Sequence, residues 1–380
     1  MKVLQINASY KPAYIYGGPT MSVSMLAEQL VKAGIIVNVF TTTANGTTEL
    51  PVQINEPVLI DGVTIIYFKR ITKDHTHFSP SLLMHLWRNA KSYNVIHIHA
   101  WWNLVSVLSC LIAVKRNVPV ILSPRGTLSN YSFHNKNNKV KGLIHSYLGK
   151  SLLKKCFIHT TSVNELSAIK KIVQPKGFFN IPNFIRLADV KPINVSSDDN
   201  ILKLIFLSRI EEKKGLNILL EALNEVTIPF HLTIAGDGDE LYINQLKSKT
   251  SSHIAGQITW AGFYTDKKFE LLQQHDLLIL PSHDENFGNV VIESLSVGTA
   301  VLISDQVGLA DYVKENDLGW ICQTNASSVS SAINIISNNR MELERIRKVA
   351  PAKIIADFDN ASLVKKYIDM YNQVIKTEIS

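Results

Sequence analysis

Cysteine is scarce in this chain: Cys110, Cys156 and Cys322 are the only three in 380 residues. An odd number without metal-ligand spacing argues against a disulfide framework, and their apolar surroundings assign them to buried cores. Long uninterrupted hydrophobic runs are missing too. The longest uncharged stretch, Val95 to Val114, is broken by His97, His99, Asn103 and Ser106, which speaks against a spanning helix. No secretory leader precedes the opening strand-like MKVLQIN, so the expected location is cytoplasmic. Short internal repeats and low-complexity tracts are also absent. Acidic residues are few in the first half: residues 1–190 hold 7 Asp and Glu against 21 Lys and Arg (+14), while residues 191–380 hold 25 against 18 (−7). A basic half suits nucleic acid, an anionic membrane surface or an acidic substrate. No helix-turn-helix, zinc-finger or RNA-binding signature accompanies it, so nucleic acid is not an expected partner.

What is present is ample apolar content, 46% of residues, enough for two buried cores in a chain of this length. Short runs of Val, Ile and Leu alternate with helical patterns, the sequence form of parallel strands joined by crossover helices. Strands are predicted near 3–7, 36–42, 63–68, 95–100, 118–123 and 157–161, then near 201–208, 230–235, 257–260, 276–281, 300–304 and 319–322. Polar residues gather in DVKPINVSSDDN, Asp189 to Asn200, and read as a linker. The predicted fold class is therefore α/β: two doubly wound Rossmann-like domains, 1–190 and 200–360, facing a cleft. A last helix, 361–376, carries Leu363, Val364, Tyr367, Ile368, Met370, Tyr371 and Val374 at helical spacing and needs a surface on which to bury them.

The segment ENFGNVVIE places Glu285 and Glu293 eight residues apart across the start of a predicted helix. A buried strand, a loop with Glu285 and Gly288, then an apolar helix form an anion-binding helix N-terminus at the carboxyl edge of a sheet. At about 1.5 Å per residue the carboxylates stand roughly 10 Å apart, one on each side of a diphosphate, which suits a nucleotide sugar. The strand ending at Ser208 leads into RIEEKKG, placing Arg209 and Lys214 to clamp phosphate oxygens and stabilise charge on a departing diphosphate. Lys213 reads instead as part of a solvated charged loop. In YGGPT, Gly17 and Gly18 let backbone approach a ligand while Pro19 and Thr20 start a helix.

His97 and His99 are two positions apart on one strand and are expected on opposite faces of the sheet, with His99 nearer the strand end and the candidate for a site role. Trp101 and Trp102 follow at the loop, and either is a candidate for stacking on a sugar ring or for packing in the core beside the apolar helix. Asp237, Asp239 and Glu240 crowd together, but the register of a calcium loop is lacking and no metal is expected. Ser162 and Glu165 have capping-box spacing. Between Asn138 and Cys156 a basic amphipathic helix is predicted, suited either to an anionic leaflet or to packing on its own domain.

The motifs YGGP, HIHAWW (97–102), SPRGTL (123–128), TSVNE (161–165), SRIEEKKG (208–215), AGDGDE (235–240), WAGF (260–263) and the paired glutamates occur in an order that resembles retaining glycosyltransferases of family 4, over nearly the whole chain. The resemblance implies the two-domain GT-B fold, with a closing helix that crosses back onto the first domain. It implies an acceptor-binding first domain and a donor-binding second. Arg209 and Lys214 would bind the donor diphosphate, Glu293 the ribose, and Glu285 with the amides of Asn286, Phe287, Gly288 and Asn289 the transferred sugar. Gly262 and Phe263 would border the base, and Gly17 and Gly18 would approach the donor. Arg125 stands where many relatives carry histidine, and together with His99 and Trp101 it is a candidate sugar or acceptor contact. The relatives' glycine pair and glutamate after the next strand appear as Val307, Gly308 and Asp311, of which only Gly308 carries over.

The implied activity is retaining transfer of a sugar from a UDP- or GDP-type donor to a glycan acceptor, lipid-linked, in bacterial surface polysaccharide synthesis, with no metal or cofactor. Peripheral contact with the inner membrane leaflet goes with that acceptor. Two alternatives are a nucleotide-sugar epimerase of related fold and a noncatalytic nucleotide-sugar-binding partner.

Overall fold

A computed structural model describes residues 1–129, 149–187, 201–264 and 267–379. The linker at 189–200 and most of the amphipathic segment at 138–156 lie outside the described residues. The chain divides into two compact units, one formed by Met1–Ile185 with Asn360–Ser380 and the other by Arg186–Asp359.

Unit 1 is built on β1 (Lys2–Ile6), β2 (Ile36–Thr42), β5 (Pro57–Ile60), β6 (Val63–Phe68), β7 (Val95–His99), β8 (Val120–Ser123), β9 (Phe157–Thr160) and β10 (Gly177–Asn180), with a small ribbon of β3 (Ala44–Asn45) and β4 (Thr48–Glu49). The sheet order is β10-β9-β8-β7-β1-β2-β6-β5. Every pair is parallel except β5 with β6. That hairpin turns through Asp61 (φ 49°) and Gly62 (φ 77°), the Asp-Gly pair that two-residue hairpins favour because both positions need positive φ. β7 and β8 are buried along their whole length, as strands of a parallel sheet covered on both faces are, and β7 carries His97 and His99 inside that burial.

The helix Asn360–Ile379 completes this unit. Leu363, Val364, Tyr367, Met370, Tyr371 and Val374 are buried in the same core as Val3, Val39 and Ile65 from the sheet. Spacing of three and four residues puts all six on one stripe of the helix.

Unit 2 holds β11 (Leu202–Leu207), β12 (Phe230–Ala235), β13 (Ile258–Gly262), β14 (Leu277–Leu280), β15 (Ala300–Ser304) and β16 (Gly319–Cys322). The order is β13-β12-β11-β14-β15-β16, all parallel. Strand order reverses between β11 and β14, which pair at Leu204 with Leu277 and Ile205 with Leu278. The loops leaving these two strands therefore start side by side at a topological switch point, the place where open α/β sheets take their ligands.

Candidate active site

At that switch point the loop after β11 supplies Arg209, Lys213 and Lys214, and the loop after β14 supplies Asp284 and Glu285. Lys214 Nζ donates to Glu285 Oε2, and Lys213 Nζ lies 2.8 Å from Asp284 Oδ2. Both lysines thus pair across the two loops rather than with Glu211 and Glu212 of their own segment. Arg209 does pair locally, with Glu211 Oε1 at 3.1 Å, and its side chain is 55% exposed, so an incoming anion competes only with a solvent-screened contact. The loops are also tied through backbone: Lys213 O accepts from His283 N (2.8 Å) and Ser282 Oγ (2.9 Å).

Gly215 follows Lys214 at φ 72°, and a Cβ there would stand 2.1 Å from Pro281 O. Only glycine lets the two loops approach this closely. Gly288 caps the helix Asn289–Ser296 in the left-handed conformation, with no side-chain cap and no acidic residue in the first turn. The positive end of a helix favours an anion. Glu285 is fixed by its own backbone as well, donating to Gln306 O (3.1 Å) and accepting from Gly308 N (2.8 Å). Gly308 therefore acts on Glu285 through the main chain. Burial pushes the Glu285 carboxyl up, but Lys214, then Lys213 and Arg209, outweigh it, and the group sits below its ordinary pKa. It is ionised at neutral pH amid three cations.

Glu293, on the same helix, is held by Lys268 Nζ at 2.7 Å. Gly262 ends β13 at φ 72° with open space where a Cβ would be, and Phe263 beside it is 66% exposed. Phe287 is buried and packs edge-on against Phe358, 6.3 Å between ring centres. Its side chain is a core anchor, which leaves its main chain as the group available to a ligand. Asp239 caps the helix Glu240–Lys249 through Tyr242 N (3.0 Å), and Asp237 accepts from Gly238 N (2.8 Å), so both acids serve the turn.

In unit 1, Gly17 (φ 65°) precedes the helix Gly18–Lys32, with nothing within 4 Å of an added Cβ. His97 and His99 do not face opposite sides of the sheet. Their rings are 4.2 Å apart, because residues i and i+2 of a strand share a face and only i and i+1 alternate. Both are fully buried. His97 Nδ1 bonds Tyr371 OH (2.9 Å) and its Nε2 lies 2.6 Å from Ser123 Oγ, which in turn lies 2.6 Å from His159 Nδ1. Burial, then neighbouring His159 and Arg125, hold His97 well below its usual pKa, and burial with Arg125 lowers His159 to about 3. Trp101 is 1% exposed and part of the core, so its ring faces are taken by protein and it is a packing residue, not a sugar platform. Ser162 Oγ caps the helix Val163–Lys170 by accepting from Glu165 N (3.1 Å). Glu165 reaches Gly126 N and Thr161 N, so only the serine half of a capping box forms.

Lys268 and Asp284 were not singled out in the sequence. Asp284 adjoins Glu285 and could have been found by pairing charges across the two loops, whereas nothing local marks Lys268, which meets Glu293 only through packing of helices Lys268–Gln273 and Asn289–Ser296.

Residues 16–186 match the family described as Glycosyltransferase Family 4, and residues 189–353 match Glycosyl transferases group 1. The chain belongs to glycosyltransferase family 4. It is a glycosyltransferase with the GT-B fold. An uncharacterized glycosyltransferase of Methanocaldococcus jannaschii is 24% identical to it, the match covering 98% of both chains. Among solved structures, Anabaena HepE in complex with UDP-glucose has a TM-score of 0.74 at 17% identity, over 98% of this transferase and 100% of that chain. WaaG, a glycosyltransferase involved in lipopolysaccharide biosynthesis, has a TM-score of 0.70 at 14% identity, over 97% and 99%. Among the described residues no helix is long and apolar enough to cross a membrane.

Proposed function

We propose that this transferase moves a sugar from a nucleotide diphosphate sugar, of UDP or GDP type, to a glycan acceptor with the anomeric configuration retained. The observation that carries this reading is the convergence of Arg209, Lys213 and Lys214 on Glu285 beside the uncapped start of helix Asn289–Ser296. Without ligand, Lys214 is neutralised by Glu285. A diphosphate at the helix start gives Lys214 and Arg209 a second anion, and their charge then stabilises the leaving group as its bond to the sugar breaks. Glu285 is left to face the transferred sugar. Glu293, held by Lys268, orients the ribose, while Gly262 and Phe263 border the base. The protein's own cations supply the positive charge, so no metal enters this reading.

The acceptor is read as lipid-linked and the product as a bacterial surface polysaccharide. The +14 balance of residues 1–190 supports work beside an anionic leaflet, and the likeness to WaaG is in keeping with that setting.

Calorimetry with UDP, GDP, ADP and CMP tests the donor assignment: one nucleoside diphosphate should bind, and failure of all of them would overturn it. With the donor identified, product NMR reads the anomeric configuration. Glu285→Ala should abolish most transfer, and EDTA should leave the rate unchanged. Full transfer by that variant would remove Glu285 from the reaction.

A further inference from the structure

Arg125 stands in the SPRG turn after β8 at φ 53°, a left-handed conformation that long side chains adopt only when their surroundings impose it. Its guanidinium is held by three neutral acceptors from three parts of unit 1. Nε donates to His99 Nδ1 at the end of β7 (3.2 Å). Nη1 donates to Ser22 Oγ in helix Gly18–Lys32 (3.0 Å) and to Asn183 Oδ1 (2.8 Å). Among the described residues no carboxylate lies within ion-pair distance of Arg125, and its Nη2 makes no hydrogen bond. Glu165, the neighbouring carboxylate in the first turn of helix Val163–Lys170, is turned to the amides of Gly126 (2.7 Å) and Thr161 (3.0 Å).

Three neutral acceptors do not require a charged donor. What arginine adds over a neutral side chain is a permanent positive charge, and here that charge is part-buried with no carboxylate in ion-pair contact among the described residues. Leaving a desolvated charge uncompensated is costly, which makes sense where a ligand brings the compensating charge. The adjoining imidazole points the same way. His99 Nδ1 accepts from Arg125, so the neutral ring carries its proton on Nε2, and that fully buried N–H has no acceptor among the described residues. An open guanidinium edge and an unmatched N–H therefore lie on the same pair of residues.

We propose that Arg125 is an oxyanion receptor in unit 1, taking a carboxylate or phosphate carried by the acceptor. The word acceptor rests on the transferase reading given above; the anion preference rests on the geometry around Arg125. The guanidinium binds the anion through a charge-assisted hydrogen bond. His99 acts as a positioning residue that keeps the Nε edge occupied and turns Nη2 outward. Acceptors ending in a neutral sugar without phosphate are then disfavoured, which makes this one arginine a determinant of specificity.

The full-length protein is first titrated with UDP, so that the cationic site of unit 2 is filled, and then at constant ionic strength with glucuronate, geranyl diphosphate or methyl glucoside. One of the two anions should bind at least tenfold more tightly than the neutral glycoside. Glucuronate identifies a sugar acid and geranyl diphosphate a lipid-linked phosphate as the source of the charge. Arg125→Asn keeps a residue that tolerates positive φ but removes the charge, and should lose that tenfold preference while still binding UDP. In the unsubstituted protein, the same anion should shift the ¹⁵N resonances of Arg125 Nε and His99 Nε2, a readout that needs no variant to fold. Equal binding of anions and glycoside, or an undiminished anion preference in Arg125→Asn, would overturn the proposal. Failure of UDP to bind concerns the donor reading alone, since the anion titrations can be repeated without it.

Discussion

Lys214 and Glu285 are 71 positions apart in the chain, yet they form an ion pair between the loops that leave two adjacent strands. Their meeting follows from the reversal of strand order between β11 and β14, which puts both loops at one edge of the sheet. The pair holds the glutamate ionised and the lysine in place.

Removing the cation should therefore weaken the donor more than it weakens the fold. A charge-assisted hydrogen bond is worth about 1.5–3 kcal/mol. Lys214→Met is expected to reduce nucleoside diphosphate affinity by roughly 10- to 100-fold, read by calorimetry. Glu285 is not sealed, with 20% of its side chain exposed, so water can replace the lost lysine and thermal stability should change little. Unchanged affinity would show that the phosphates bind elsewhere.

Gly215→Ala tests the close approach of the same two loops. The substitution puts a methyl group 2.1 Å from Pro281 O at φ 72°, so either the backbone turn or the β14 loop must move. The left-handed backbone alone costs about 1–2 kcal/mol for a residue with a Cβ, and the steric conflict adds to it. Urea unfolding should show a loss of at least about 2 kcal/mol, together with weaker nucleotide binding because Lys214 shifts. A variant as stable as the parent would mean that this contact relaxes freely.

The histidines of unit 1 set the acid limit of its stability. His97 and His99 are held well below their ordinary value of 6.5, and His159 at about 3. Below pH 6.5 the unfolded chain binds protons that the folded unit refuses, so stability falls as pH drops from about 6.5 toward 3 and is fully present above that window. Each histidine contributes about 1.4 kcal/mol per pH unit within it. Melting at pH 7.5 and pH 5 should differ by several degrees. Imidazole NMR that found these rings protonated in the folded state at pH 5 would contradict the prediction.

Tyr371→Phe should cost about 1–3 kcal/mol, because His97 Nδ1 loses the hydroxyl it bonds inside the core. Tyr367 OH approaches His159 Nε2 (3.3 Å) and donates to Pro182 O (3.2 Å), so both tyrosines reach the same chain of rings. The double variant with Tyr367→Phe should depart from additivity. Strict additivity in urea titrations would show that the chain through Ser123 carries no coupling.

Where a residue's role follows from period or from turn chemistry, the sequence makes it legible. All twelve predicted strands form, and the stripe from Leu363 to Val374 is buried. Four strands were not predicted, Ala44–Asn45, Thr48–Glu49, Pro57–Ile60 and Gly177–Asn180; of these, Pro57–Ile60 carried its own signal in Asp61-Gly62, a hairpin pair that went unused. Assigning His97 and His99 to opposite faces was an error of period, since strand side chains repeat every two residues. Trp101 could not be placed from sequence because an aromatic residue beside an apolar helix fits core and surface alike, and only packing distinguishes them. The pairing of Lys214 with Glu285, and of Lys268 with Glu293, depends on which loops the topology brings together, a long-range fact that no local pattern contains. Arg125 drew notice only as a departure from its relatives; that no described carboxylate pairs with it became visible once His99, Ser22 and Asn183 stood around it.

Because residues 186–359 fold as a body of their own inside the span of the other, the two bodies have unequal needs during translation. The inner one has its entire sequence by residue 359. The outer one waits for Tyr367, Met370 and Tyr371 before the gap over Val3, Val39 and Ile65 is filled. On the ribosome the order of maturation should thus run opposite to the order of synthesis, and a nascent chain stalled before residue 360 would display a greasy trough that invites chaperones.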